Sequence, residues 1–144
     1  MMQYVVIGVM FLLVSCDADE RRNIPSVVEN ALKEKFPNAS GIEWDRSKTA
    51  YEAEFDANSR EHTIEIDTTG SITRIKIDIK DSMLPRKVRT GVDSIAAGAG
   101  LSDIEVLQLG ENTYYQIVVK ATGRNRKLVV DSEGKIIDDI KYWD

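Results

Sequence analysis

Ile64-Glu-Ile-Asp67-Thr-Thr-Gly70-Ser-Ile72 recurs later in the chain as Leu128-Val-Val-Asp131-Ser-Glu-Gly134-Lys-Ile136. In both stretches an apolar run with strand character ends at an Asp, a Gly stands three residues on, and a second apolar run begins. Asp in first place and Gly in fourth is the chemistry of a type I turn whose Gly takes a positive φ, so each stretch predicts a β-hairpin. Outward from this match, Tyr51 to Phe55 falls on Tyr115 to Val119, Ser40-Gly-Ile42-Glu43 on Ser102-Asp-Ile104-Glu105, and Ile24-Pro25-Ser-Val-Val28 on Leu84-Pro85-Arg-Lys-Val88. The four registers drift only slightly (24 to 84, 40 to 102, 51 to 115, 64 to 128), which is the pattern of a duplicated unit.

Each copy opens on a proline suited to a first helical turn, and in the first copy Val28, Leu32 and Phe36 recur every fourth residue, an amphipathic helix stopped at Pro37. The second helix reads as weaker, because Gly91, Gly98 and Gly100 each cost about 1 kcal/mol relative to Ala inside a helix. Period-two runs follow: Tyr51, Ala53 and Phe55 alternate with Glu52 and Glu54, and Ile75, Ile77 and Ile79 with Arg74, Lys76 and Asp78, as in strands with one dry and one wet face. The expected strands of the first copy are Ile42 to Arg46, Lys48 to Asp56, Arg60 to Asp67 and Ser71 to Lys80. The fold class is α+β: two tandem repeats, each an N-terminal helix packed on an antiparallel meander of about four strands, with boundaries at 24–82 and 83–144. A unit of this size buries only a marginal core alone, so the two copies are expected to pack together or share a sheet.

The N-terminal end reads as an address. Tyr4 to Val14 is an uncharged apolar run, too short to span about 30 Å of hydrocarbon but the right size for a signal-peptide core. It ends in Leu13-Val14-Ser15-Cys16, which resembles the bacterial lipobox, where cleavage precedes an acylated cysteine. Residues 1–15 are thus expected to be a lipoprotein signal peptide, Cys16 the lipidation site and 16–23 an acidic tether. Cys16 is the chain's only cysteine, so acylation would leave no thiol for a disulfide or a nucleophile. The alternative for Cys16 is a free cysteine buried in a core.

At 144 residues, 42% apolar and 30% charged, the composition is that of a globular domain, and the net charge of −5 is spread without blocks. Acids and bases interleave, which disfavours a nucleic-acid track. Lipobox, paired proline-started helices, Ile42-Glu43-Trp44, Tyr51-Glu-Ala-Glu-Phe55 and the paired Asp-x-x-Gly turns together resemble the PepSY-like lipoproteins of Bacteroidetes, described as similar in fold to beta-lactamase inhibitor protein. The resemblance spans about residues 24 to 144. It implies tandem helix-on-sheet units and a place in the periplasm or on the cell surface, lipid-anchored to the outer membrane.

No catalytic constellation accompanies that frame, so the chain is expected not to be an enzyme, and neither a cofactor nor a metal site is expected. His62 is the only histidine and stands among charges beside a turn, which reads as an exposed polar residue. Glu52 and Glu54 on one strand face are spaced for glycoside chemistry, yet alternating Glu is also how a wet sheet face stays soluble. A deep pocket holding two convergent carboxylates of raised pKa would favour an enzyme after all. The wet faces of the two copies differ: the first carries Glu52, Glu54, Thr63, Glu65, Arg74 and Lys76, the second Tyr114, Gln116, Val118, Lys127 and Val129. The stickier second set marks either a site for an envelope protein or peptide partner or a surface covered by the chain's own Tyr142-Trp143. The expected role is a lipid-anchored binding module, the alternative an inhibitor or chaperone-like regulator of an envelope enzyme such as a protease or beta-lactamase.

Overall fold

The computed structural model describes residues 23–144; the apolar leader and Cys16 lie outside the described residues. The element order is α1 (Ser26–Lys35), β1 (Ser40–Arg46), β2 (Ala50–Ala57), β3 (Arg60–Asp67), β4 (Ile72–Asp78), α2 (Arg86–Ala96), β5 (Leu101–Leu109), β6 (Asn112–Val119) and β7 (Arg126–Val130), with a short 3₁₀ turn at Asp81–Met83 before α2. The seven strands form one antiparallel sheet in chain order. All four strands expected in the first half are present, each within a few residues of its expected bounds. The second half has three strands and, in place of a fourth, only a single bridge between Val130 and Ile136.

Alternation along the strands decides which side of the sheet is covered. In α1, Val28 and Leu32 are wholly buried against Ala53, Phe55, Ile64 and Ile66, the inward-facing residues of β2 and β3. Full burial of a side chain such as Leu32 contributes about 1.5–3 kcal/mol. Helix α2 repeats the arrangement, with Val88 and Val92 over Ile104, Tyr115, Ile117 and Val130. Both helices therefore lie on one side. The opposite face begins without a covering layer.

Both hairpin turns form as their sequences dictate. The Asp67 carboxylate accepts from the Thr69 and Ser71 amides at 2.8 and 3.0 Å, and Asp131 accepts from Glu133 and Lys135 at 2.9 Å each. Gly70 and Gly134 close the turns at φ +88° and +79°. Each turn also abuts the helix of its own half. A Cβ on Gly70 would come within 2.7 Å of the Val27 side chain, and one on Gly91 within 2.3 Å of the Gly134 carbonyl oxygen.

Two expectations need correcting here. Two of the three glycines counted against α2 lie outside it: the helix runs Arg86–Ala96 with Ala97 as its left-handed cap, so Gly98 and Gly100 lie beyond its end. Gly91, the one glycine inside, lets helix and turn backbones touch. His62 is not an exposed polar residue. It is 5% exposed, stacks on Phe55 at 5.4 Å and 17°, and meets the edge of Phe36 at 5.3 Å. The reason is parity: His62 shares its strand face with Ile64 and Ile66, toward α1.

Candidate functional site

The open face is built from alternate residues of all seven strands, and its register is explicit. Asp45 pairs with Glu52, Glu52 with Glu65, Glu65 with Arg74, and Arg74 with Leu109. One row further, Glu43, Glu54, Thr63, Lys76, Leu107 and Tyr114 stand side by side. Beyond them Asp78 faces Glu105, Glu105 faces Gln116, and Gln116 faces Val129. Over β1 and β2 this surface is acidic and solvated. Over β5 to β7 apolar residues enter it, Leu107, Leu109, Tyr114, Val118 and Val129, and there the chain returns to cover it.

The covering segment runs from Ile137 to Asp144 and has no regular secondary structure. Trp143 is its anchor. The indole is 6% exposed and packs with Leu107 and Val129, flanked by Leu109, Tyr114, Ile140 and Tyr142. Beneath it, Gln116 is fully buried and makes a two-point clamp on the Trp143 main chain. Its Oε1 accepts from the Trp143 amide at 2.7 Å, and its Nε2 donates to the Trp143 carbonyl at 2.9 Å. The second Nε2 hydrogen goes to Glu105 Oε2 at 2.8 Å, which fixes the amide's orientation.

The indole itself is read from both ends. Its Nε1 donates to Glu52 at 3.1 Å, and the Arg74 guanidinium lies over the ring at 4.1 Å, with Lys76 Nζ at 5.3 Å. Arg74 is held by Glu65 at 2.5 Å, and Lys76 by Glu105 at 3.4 Å. Lys127 pairs with Asp144 and sits over the Tyr142 ring at 5.1 Å. Burial alone would raise the Glu65 carboxyl, but hydrogen bonds from Arg74 and Thr73 outweigh it and hold the group below the usual carboxylate range. For Glu105 burial wins and pushes the carboxyl up, with the bond from Gln116 and the Lys76 charge offsetting it only in part.

The five residues singled out in the sequence thus come together on one face. Gln116, Val118 and Val129 are buried, Tyr114 is half-buried, and Lys127 is exposed at the rim. Of the two readings of that face, the structure shows the chain's own Tyr142-Trp143 over it, so Gln116 and Val129 are out of a partner's reach while this segment is seated. The cradle residues Glu52, Arg74, Lys76 and Glu105 were not singled out as one site, because the β4–β5 register that brings them to Gln116 is a long-range pairing. The available signal was a lone Gln in the apolar run Tyr115 to Val119, on the face away from the helices.

Beside Tyr142 lies a cavity of about 320 Å³, lined by Glu61, Lys76, Asp78, Asp103 and Glu105 among others. Burial, and then neighbouring acids, raise the Glu61 carboxyl; burial also raises Asp78 against the pull of Lys76. Glu61, Asp78 and Asp103 are exposed, so these groups flank an open depression, and Glu105 already accepts from Gln116 and Lys76. Among the described residues no group of His, Cys, Asp and Glu is arranged to hold a metal ion, and no helix is long and apolar enough to cross a membrane.

These features define an open-faced protein of two helices on one side of a seven-stranded antiparallel sheet, which is the BLIP-like fold. A BLIP-like protein from Bacteroides fragilis matches with a TM-score of 0.73 at 22% identity, over 86% of this chain and 97% of that one. A candidate periplasmic protein from Bacteroides eggerthii matches with a TM-score of 0.75 at 19% identity, over 80% and 86%. A DUF2874 family protein from Bacteroides uniformis matches with a TM-score of 0.74 at 19% identity, over 79% and 86%. No family model matches the sequence, and none of the curated proteins matches it.

Proposed function

We propose that this chain is a lipid-anchored binding module of the cell envelope, without catalytic activity, that holds a protein or peptide partner on its sheet face. The observation that carries this reading is the asymmetric layering: helices cover one side of the sheet, while on the other Glu43, Asp45 and Glu54 stand exposed over β1 and β2. A sheet face left open and lined with one sign of charge suits a basic partner surface, which it would attract and orient. The lipobox-like Leu13-Val14-Ser15-Cys16 supplies the anchor in this reading, and the tandem PepSY-like repeat supplies the breadth of the sheet. The likeness of the fold to a candidate periplasmic protein supports the envelope location.

The test is charge reversal at Glu43→Lys with Glu54→Lys in the full chain, followed by crosslinking in intact cells and mass spectrometry of the adducts. Loss of the adduct, with weaker recovery of the unaltered pair at higher salt, is the expected result. An unchanged adduct pattern would overturn the surface assignment. The BLIP-like neighbour favours a second reading, an inhibitor or chaperone-like regulator of an envelope enzyme. Titration of the protein against envelope proteases and beta-lactamases tests it, and no inhibition at micromolar protein rules it out.

A further inference from the structure

The Trp143 cradle has the construction of a peptide-reading site more than that of a core. A core that served stability alone would surround the indole with apolar groups only, whereas here Gln116, Glu105 and Lys76 stand beside Leu107 and Val129, and buried polar side chains must recover their lost hydration through well-made partners. Here Gln116 spends its acceptor and one donor on the main-chain amide and carbonyl of a single residue. That pairing copies what a neighbouring β-strand offers and is indifferent to the side chain it carries. Selectivity comes from the surroundings: cations over the ring, Glu52 at the indole N–H, and Lys127 for an acidic neighbour.

The seated segment is also held in a manner that allows exchange. From Ile137 to Asp144 it adds no strand to the sheet, and its one main-chain bond to a strand is from the Ile137 amide to the Val129 carbonyl. The floor it would uncover is mixed: Leu107 and Val129 are apolar, while Gln116, Glu105, Lys76 and Arg74 are polar groups that rehydrate when exposed. Arg74 pairs with Glu65 and Lys76 with Glu105, partners that lie outside the segment, although Lys76 also donates to the Trp143 carbonyl at 3.3 Å.

We propose that Ile137 to Asp144 is an intramolecular stand-in for a ligand, and that the groove it fills binds a partner peptide presenting a tryptophan with an acidic residue next to it. The partner competes with the chain's own Trp143, so the groove opens only to a segment that matches this chemistry better or arrives at high local concentration. This deepens the reading of the face as a docking surface, but it concerns the groove under Trp143, which reaches the acidic half only at Glu52, and not Glu43 or Glu54. Reversal of Glu43 and Glu54 leaves the groove intact, so either proposal can fail alone.

The probe is a fluorescein-labelled peptide, Ile-Asp-Asp-Ile-Lys-Tyr-Trp-Asp, titrated into the full chain. The Trp143→Ala variant is expected to bind it at least tenfold more tightly than the unaltered protein. Replacing the peptide's Trp with Ala, or adding Gln116→Leu to the variant, should cost at least tenfold. A second measurement avoids reliance on the folding of these variants. In Trp44→Phe protein labelled with 5-fluorotryptophan, Trp143 is the sole indole, and saturating unlabelled peptide should move its ¹⁹F resonance to the solvent-exposed position.

Equal binding by the unaltered chain and Trp143→Ala, no binding at millimolar peptide, or an unmoved ¹⁹F signal would each overturn the proposal. So would a concentration-dependent dimer of the unaltered protein with exchanged segments, which would assign the groove to a second copy.

Discussion

Gly91→Ala offers the sharpest test of how the second half is held together, because local and tertiary effects carry opposite signs there. In a solvated helix the change should stabilise by about 1 kcal/mol, since Gly gives up more backbone freedom than Ala. In this helix the new methyl would lie 2.3 Å from the Gly134 carbonyl oxygen, 2.7 Å from its Cα and 2.8 Å from its carbonyl carbon. Ordinary contact needs 3.4 Å or more, so helix and turn must part by about 1 Å. Both partners are main chain, and no side chain can rotate aside to relieve the contact. Overpacking of this kind costs about 1–3 kcal/mol and occasionally more. With the propensity gain subtracted, a net loss of roughly 0–2 kcal/mol is expected, toward the upper end because the contact is main chain on both sides.

Urea denaturation followed by tryptophan fluorescence reads this as a lower midpoint at unchanged slope. Gly100→Ala is the control. Its Cβ would meet nothing closer than Lys120 Cδ at 3.8 Å, so it should fall within about 0.5 kcal/mol of the unaltered protein. A Gly91→Ala protein stabilised by the propensity gain, as an open helix would be, would refute the claim that a Cβ-free contact seats α2 on the turn.

Leu32→Ala, which empties a site 1% exposed in the first core, should cost about 2–5 kcal/mol in the same titration. Asp67 is held below the usual carboxylate range by hydrogen bonds from Thr69 and Ser71, so its contribution to stability is complete above the ordinary Asp value and is lost as pH falls through its folded value. Melting temperatures of Asp67→Asn and the unaltered chain should therefore differ most near neutrality and converge in acid; a gap that widens as pH falls would reverse the assignment. Cys16→Ala should abolish metabolic palmitate labelling of the chain, and label that persists would remove the lipid anchor from the proposed function.

Local signals carried most of the fold. The spacing of Val28, Leu32 and Phe36 located α1 to within a residue, and Asp67-x-x-Gly70 and Asp131-x-x-Gly134 located both turns, because capping and turn chemistry act over a few residues. What stayed hidden depends on pairing at long range. Gly91 reads as a defect in a helix until Gly134 is known to lie against it. His62 reads as polar surface from its charged neighbours, although counting by twos from Ile64 and Ile66 puts it on the covered side. The candidate site was legible in part: the apolar excess around Gln116 was visible, but the cradle needs Glu52, Arg74 and Lys76 from the other half of the chain, delivered by the β4–β5 register.

That register, from Arg74 opposite Leu109 to Asp78 opposite Glu105, has a further consequence for how the protein survives before it is fully assembled. Two separate small sheets would expose a raw row of amides and carbonyls on each of their borders, every one a template for pairing with a stranger. Zipping the borders together at β4 and β5 hides two of them at once and leaves only β1 and β7 outermost. β1 carries Glu43 and Asp45, charges that discourage stacking of copies edge to edge. The seam is thus a guard against fibre growth as much as a source of stability, and a half-chain released by cleavage between Lys80 and Pro85 should be the most aggregation-prone form this sequence can take.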